Sequence, residues 1–194
     1  PTVAELAQLL TTSSEQNPIV TEEGQLIGEF PLLPIQHWFF KQNFAKPSHW
    51  NQSFILQLPS GVTLAQLEKA LQALSVRHDI LRCRFEVQGD DWIQRYTDSP
   101  ASAELIQLDI ASLDEASLSQ RLTELQSGFN LQQGPLWQVA HLIGYEDGRS
   151  RLFFALHHLI VDAVSWRILA EDLQQHLSGQ TLAPKTSSYR QWID

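Results

Sequence analysis

The run from Phe153 to Trp166 constrains the fold more than any other part of the sequence. It begins with aromatic and aliphatic residues typical of a buried β-strand and ends that strand at His157 and His158. Asp162 follows four residues after the second histidine, at the start of an amphipathic helical pattern. Neighbouring side chains of a strand point to opposite faces, so only one histidine can face a given cavity. Histidine suits proton transfer near neutral pH, but the spacing alone leaves that role open.

The composition indicates a folded, acidic protein. Hydrophobic residues make up 43% of the 194 residues, and 13 basic against 22 acidic residues give a formal net charge of -9. The basic residues are scattered, which argues against a nucleic-acid partner. Apolar runs are too short to span a membrane, and the single cysteine, Cys83, excludes an internal disulfide. We therefore expect a cytoplasmic protein with neither a nucleic-acid nor a membrane partner.

The two ends of the sequence indicate a piece of a longer polypeptide. The chain begins with Pro1 and contains no methionine, and residues 188–194 resemble the start of a helix that is cut short. We expect residues 1–10 to end an upstream helix and residues 11–28 to form a polar linker. Residues 29–194 then form the folded unit.

Helix and strand patterns alternate through this unit and predict a mixed α/β sandwich. Helical spacing and capping patterns predict helices at residues 34–40, 63–78, 114–128 and 164–177. Period-2 patterns predict strands at residues 50–58, 80–87, 92–96, 104–109, 136–144 and 151–158. This order predicts a mixed sheet covered by helices.

Other chemistries fit the histidine run less well. A zinc site built from the histidine pair and Asp162 is disfavoured, since adjacent strand residues diverge and cysteine ligands are lacking. Ser165 lacks the glycine-flanked elbow that exposes a nucleophilic serine. Asp162 lies at a helix N-terminus, where a carboxylate is more easily a structural anchor than a second base. It could pair with an arginine of the strand at residues 80–87, either Arg82 or Arg84.

The histidine motif resembles the HHxxxD signature of the condensation-type superfamily, which is related to chloramphenicol acetyltransferase. Residues 34–36 (PIQ) and 77–85 (RHDILRCRF) resemble the first two motifs of that superfamily. Three features are similar to the epimerisation domains of nonribosomal peptide synthetases, namely residues 34–40 (PIQHWFF), 49–53 (HWNQS) and 164–169 (VSWRIL). The resemblance implies that residues 29–194 are the N-terminal lobe of a two-lobed, chloramphenicol acetyltransferase-like domain. Residues 1–7 also resemble the last helix of a carrier protein.

The activity implied by this resemblance is conversion of an L-aminoacyl or L-peptidyl thioester to the D form, within antibiotic or other secondary-metabolite biosynthesis. A base removes the Cα proton and an acid returns it to the opposite face. The substrate would arrive on the 4′-phosphopantetheine arm of an upstream carrier protein, with no metal or directly bound cofactor. The other implied partners are the C-terminal lobe and a downstream condensation domain. A peptide-bond-forming condensation domain and a non-catalytic lobe that docks a carrier remain alternatives.

The resemblance also implies a role for each motif residue. His158 would be the catalyst, His157 its inward structural support and Asp162 the organiser of the turn. Arg82 would be the first expected partner of that aspartate and Arg84 the second, while Ser165 and Trp166 would line the tunnel or its floor. An opposing glutamate would come from the second lobe, so the fragment alone is expected to be inactive. Ala163 departs from the family, which more often has glycine there.

Overall fold

The structure is a computed structural model that describes Thr2, Ala4 and residues 21–98 and 104–193. Apart from Thr2 and Ala4, the expected carrier-protein helix at residues 1–10 lies outside the described residues, as does most of the expected linker at residues 11–28. Within the described ranges, no helix is long and apolar enough to cross a membrane.

Two sheets form the framework. In the described part of the chain the strands are β1 (Gly28–Phe30), β2 (Asn51–Gln57), β3 (Cys83–Gln88), β4 (Asp91–Tyr96), β5 (Leu105–Asp109), β6 (Trp137–Ile143) and β7 (Arg151–His157). The smaller sheet is antiparallel with the order β1-β4-β3, and the larger has the order β2-β7-β6-β5. Only the β5–β6 pair is parallel among these described strands. The predicted mixed α/β architecture is confirmed.

Four α-helices in the described residues follow the predicted capping signals. They are α1 (Pro34–Lys41), α2 (Leu64–Arg77), α3 (Glu115–Ser127) and α4 (Ala163–Leu177). The side chains of Thr63, Asp114 and Asp162 accept hydrogen bonds from the first turns of α2, α3 and α4. Each cap satisfies a backbone N–H that has no partner inside its own helix, and so fixes where the helix begins.

The core is centred on β6 and β7, the two inner strands of the larger sheet. Six consecutive residues of β7, from Leu152 to His157, are buried. A strand that alternates between core and solvent would be buried at every second position, so this run shows that both faces of β7 are covered. The histidine pair therefore lies where the most buried strand of the fold ends.

The structure differs from the predicted strand at residues 80–87. Residues Asp79–Arg82 form a 3-10 helix, and β3 begins only at Cys83. Arg82 is therefore not on a strand face. Its fully buried guanidinium forms an ion pair with Asp79 and donates to the carbonyl groups of Ser75, Leu26 and Thr97.

The second difference is β1, which begins where a linker was expected. Its three residues pair with β4, and Phe30 is 4% exposed and packs its ring 4.4 Å from that of Tyr96. A three-residue strand offers too little alternation for a period-2 pattern to be detected.

We predict that Arg82→Ala lowers the free energy of unfolding by about 3–5 kcal/mol, because it leaves buried carbonyl groups without their donor. Arg82→Lys should also destabilise the fold, since one ammonium cannot replace a planar guanidinium that reaches several acceptors. Urea unfolding measures both changes.

The matched control for this prediction is Arg95→Ala. The Arg95 side chain is 40% exposed, and its ion pairs with Glu29 and Glu86 are both 3.6 Å long. Its removal should cost less than about 1 kcal/mol. Equal losses for the Arg82 and Arg95 variants would contradict the structural role of Arg82.

Candidate active site around the histidine pair

His157 is the last residue of β7, and its ring is fully buried. Its Nε2 lies 2.9 Å from the carbonyl oxygen of Pro47, and its Nδ1 accepts a hydrogen bond from the backbone N–H of Leu159 at 3.2 Å. Because a carbonyl can only accept and a backbone N–H can only donate, these partners place the proton on Nε2. Burial lowers the pKa of His157 to about 4, so the ring is neutral at physiological pH.

His158 follows directly, and its side chain is exposed on the opposite side of the chain. The backbone N–H donates to the carbonyl of Trp50 at 2.8 Å, which extends the β2–β7 pairing by one residue. Nδ1 lies 2.8 Å from the carbonyl oxygen of Val161, and Nε2 lies 3.2 Å from the side-chain nitrogen of Gln52. The Val161 carbonyl can only accept, so Nδ1 carries the proton and Nε2 holds the lone pair.

Asp162 ends the turn and caps α4. Its Oδ1 accepts hydrogen bonds from the backbone N–H and the hydroxyl of Ser165, both at 2.7 Å. These bonds lower the pKa of the Asp162 carboxyl below its usual range. The aspartate is therefore ionised at neutral pH, with the charge at the positive end of the helix dipole.

The expected arginine partners of Asp162 lie elsewhere. Arg82 forms an ion pair with Asp79, which precedes it by three residues on the same turn of 3-10 helix. Arg84 donates from Nε to the carbonyl of Gln133 at 2.8 Å and from a terminal nitrogen to the carbonyl of Cys83 at 2.7 Å. Among the described residues no ion pair joins Asp162 to an arginine, so the predicted pairing is wrong for both candidates.

Two further elements hold the turn that follows β7. The buried side chain of Gln36, on α1, donates to the carbonyl of Leu159 at 3.3 Å and to the side chain of Gln94 on β4 at 3.0 Å. Its Oε1 also accepts from the backbone N–H of Leu33 at 2.8 Å. The glutamine of the PIQ motif thus joins α1, the smaller sheet and the histidine turn.

A cavity of about 250 Å³ opens beside His158. Its apolar lining includes Ile35, Trp38, Phe39 and Trp50. The polar residues at this cavity are His158, Asp162, Ser165 and Tyr189, together with the buried Gln36. A cavity of this size can hold a small group, but not a whole peptide.

The predicted site residues take different positions at this cavity. His158, Asp162 and Ser165 line it, whereas His157 lies behind it in the core. Trp166 faces a separate depression that includes Gln52 and Phe54. Its indole N–H donates to the Gln52 side chain at 2.8 Å, and its ring meets Phe54 edge-on at 4.1 Å.

Sequence reasoning assigned no role to Gln52 or Tyr189. Gln52 is part of the HWNQS segment, and the structure brings that segment to the VSW segment at the exposed histidine. Tyr189 is half-buried at the cavity, and burial raises its pKa to about 12. The Asp162 charge acts in the same direction, so the phenol stays protonated.

The fold also contains a larger groove, of about 640 Å³, along α2 and residues 182–185. It shares no lining residue with the cavity beside His158. Within the described residues, no group of three or more histidine, cysteine or acidic side chains could hold a metal ion. The smaller cavity is the one that the histidine motif lines, and it is the candidate active site.

Known proteins are similar to this chain in sequence, and solved structures are similar to it in fold. N-(5-amino-5-carboxypentanoyl)-L-cysteinyl-D-valine synthase of Amycolatopsis lactamdurans is 42% identical over 187 residues, which cover 96% of this chain and 5% of the relative. One of the linear gramicidin synthase subunits of Brevibacillus parabrevis is 39% identical over 204 residues, which cover 100% of this chain and 4% of the relative. The chain thus spans about one twentieth of the length of these relatives.

Solved structures of an epimerization domain and a condensation domain have a fold similar to that of this chain. The epimerization domain from the third module of tyrocidine synthetase B has a TM-score of 0.80 and 34% identity, over 89% of this chain and 40% of that domain. The condensation domain from the Monacolin K polyketide synthase MokA has a TM-score of 0.73, over 87% of this chain and 38% of that chain. At 17% identity, this second likeness supports the fold alone.

The family model described as Condensation domain matches residues 27–194, which include α1, the 3-10 helix at Asp79–Arg82 and the histidine turn. These findings confirm the resemblance that the HHxxxD, PIQ and RHDILRCRF segments indicated. The chain therefore belongs to the condensation domain family.

Proposed function

We propose that this chain is part of an epimerisation domain that converts an L-aminoacyl or L-peptidyl thioester to the D form. The observation that carries the proposal is the state of His158. Its Nδ1–H is bound to the Val161 carbonyl, which leaves the lone pair on Nε2, and its side chain lines a mostly apolar cavity. A neutral imidazole in this state can accept a proton.

Epimerisation needs two proton transfers at one carbon atom. Nε2 of His158 would remove or return the Cα proton on its own face, and the electron pair left behind would move into an enolate. A second acid/base group must act on the opposite face, because inversion requires the proton to return from there. A glutamate of the second lobe would take that role, as the family resemblance implies, and this chain matches only 40% of the similar epimerization domain.

The remaining motif residues act through His158 in this proposal. His157 anchors the end of β7 through Pro47, and Asp162 fixes the first turn of α4 through Ser165. The thioester would be delivered on the phosphopantetheine arm of a carrier protein. The C-terminal lobe, an upstream carrier protein and a downstream condensation domain would be its protein partners.

Peptide-bond formation is the second candidate function. It is favoured by the family model, whose name is that of the condensation domain, and by the fold shared with the MokA condensation domain. Epimerisation is favoured by the 34% identity to the tyrocidine synthetase epimerization domain, against 17% for MokA. A mixture of two loaded carriers separates the two reactions, because condensation gives a dipeptide and epimerisation gives a D-residue on one carrier.

In the full-length protein, we expect His158→Ala to reduce Cα deuterium exchange of an aminoacyl-carrier thioester by at least about 100-fold, because general acid–base catalysis contributes that much or more. The exchange is followed by mass spectrometry of the substrate released from the carrier. Folding should be unchanged, since the His158 side chain is exposed.

The control for this variant is His37→Ala, which removes an exposed imidazole from α1. It should leave the exchange rate unchanged. Undiminished exchange in His158→Ala would contradict the proposal. If the wild-type protein shows no exchange but makes a dipeptide, condensation is favoured. If the intact wild-type protein carries out neither reaction, a lobe that only docks a carrier is favoured.

The buried, neutral His157 predicts that the fold loses stability in acid. Its pKa is about 4 in the folded protein, against an ordinary value of 6.5, so the unfolded chain binds the proton more readily. Its contribution is fully present above pH 6.5 and decreases as the pH falls from 6.5 towards 4. The loss amounts to about 3 kcal/mol in the free energy of unfolding.

Urea unfolding at several pH values between 7 and 4 tests this dependence. A His157→Gln variant cannot take up a proton at this position, so it should be less stable than wild type at pH 7 but lose less stability on acidification. Parallel pH profiles for the two proteins would show that His157 is not the group responsible.

A further inference from the structure

We propose that Gln52 is a positioning residue for His158, whose side-chain amide holds the imidazole in the tautomer with its lone pair on Nε2. The inference rests on the proposed function, in which His158 transfers the Cα proton. It goes further by assigning control of that proton to a residue on the neighbouring strand.

The pairing of β2 with β7 brings the two side chains together. Gln52 lies directly opposite Leu156, and side chains two residues apart on a strand share a face, so Leu156 and His158 are both its neighbours. The two Nε2 atoms of Gln52 and His158 are 3.2 Å apart. One atom of the pair must donate and the other accept.

The orientation of the amide decides which atom donates. The indole N–H of Trp166 can only donate, and it lies 2.8 Å from Oε1 of Gln52. A rotated amide would place its NH₂ group against this donor and lose the hydrogen bond. The amide nitrogen therefore faces His158, and its N–H donates to the lone pair of the imidazole Nε2.

The indole that fixes the amide is itself held in place. Trp166 meets the Phe54 ring edge-on at 4.1 Å, and Phe54 stacks on Phe154 at 5.6 Å across the strand pair. On the far side of the imidazole, the Val161 carbonyl accepts from Nδ1 at 2.8 Å. Partners of fixed polarity thus lie at both ring nitrogens, and they allow one tautomer.

A protonated His158 would lose the contact with the Gln52 amide. An imidazolium carries N–H groups on both nitrogens, so its Nε2–H would point at the N–H of the Gln52 amide. The other titratable groups near the ring are Asp162 and His157 on its own segment and Tyr189 across the cavity, while the segment β2 contains no charged residue.

Gln52→Glu reverses this contact with little change in shape. A carboxylate accepts from the Trp166 indole as the amide does, but it also accepts from a protonated Nε2, and so stabilises the imidazolium. In the full-length protein we expect the acidic limb of the exchange-rate profile to move to higher pH by about one unit. At pH values on that limb, this corresponds to a tenfold lower rate, restored at higher pH. The KM for the loaded carrier should be unchanged.

The matched control is Gln57→Glu, which places the same charge at an exposed position of the same strand. It should leave the pH profile in place. Gln52→Leu removes the amide without adding a charge, so its acidic limb should move in the same direction as that of Gln52→Glu, but less. Equal profiles for the Gln52→Glu and Gln57→Glu variants, or a loss of thermal stability without any change in profile, would overturn the inference.

Nitrogen NMR of ¹⁵N-histidine-labelled protein tests the same inference without catalysis, with the His158 signals assigned from the His158→Ala spectrum. We expect the proton on Nδ1 in the wild type, and a larger protonated fraction at a given pH in Gln52→Glu. A wild-type proton on Nε2 would overturn the inference. The expected spectra in a protein that shows no Cα exchange would uphold the role of Gln52 and reject epimerisation.

Discussion

The antiparallel pairing of β2 with β7 is the constraint on which the rest of the site depends. Its register is continuous from Asn51 opposite His157 to Gln57 opposite Arg151. A slip of one residue would turn every side chain of β2 to the other face of the sheet. Gln52 would then leave His158, and Phe54 would no longer support Trp166. The alternation in β2 opposes such a slip, because it would turn the half-buried Phe54 and Leu56 side chains away from the core.

The same strand geometry gives the two histidines different chemical states. His157 points into the core, where Pro47 and Leu159 occupy both ring nitrogens and burial keeps the ring neutral. His158 points towards the cavity, where one nitrogen is bound to a backbone carbonyl and the other meets the Gln52 side chain. An identical side chain is thus an anchor in one position and, in the proposed function, a base in the next. Alternation along the strand is sufficient to separate these roles.

Much of the fold was predictable, because the relevant signals are local. The Thr63 and Asp114 caps and the alternation in β2 and β3 each depend on a few neighbouring residues, and the structure confirms the elements that they predict. The partner of Arg82 was not predictable in this way. Residues 80–87 have a period-2 pattern, but Asp79 offers a carboxylate three residues from Arg82, and the 3-10 helix brings the two together.

In the candidate site, too, local sequence patterns predicted some features, whereas contacts between residues distant in sequence could not be predicted. The HHxxxD spacing located the histidine turn, and strand alternation indicated that the two rings would face opposite sides. Neither pattern could show that residues 52 and 166 meet, since 114 residues separate them and only the strand register and the packing of α4 bring them together. The resemblance singled out both segments, but as separate motifs without a shared purpose.

The polarity of the hydrogen bonds explains why this turn suits a base better than a nucleophile. The Ser165 hydroxyl donates to Asp162, and the same carboxylate oxygen accepts the backbone N–H that begins α4. Activation of that serine would therefore disturb the cap of the helix that carries Trp166. His158 has the opposite arrangement, because the Val161 carbonyl binds the proton on Nδ1 and the Gln52 amide nitrogen faces the lone pair on Nε2. The tryptophan that follows the histidines thus stabilises, through Gln52, one tautomer of one imidazole, the tautomer that the proposed proton abstraction requires.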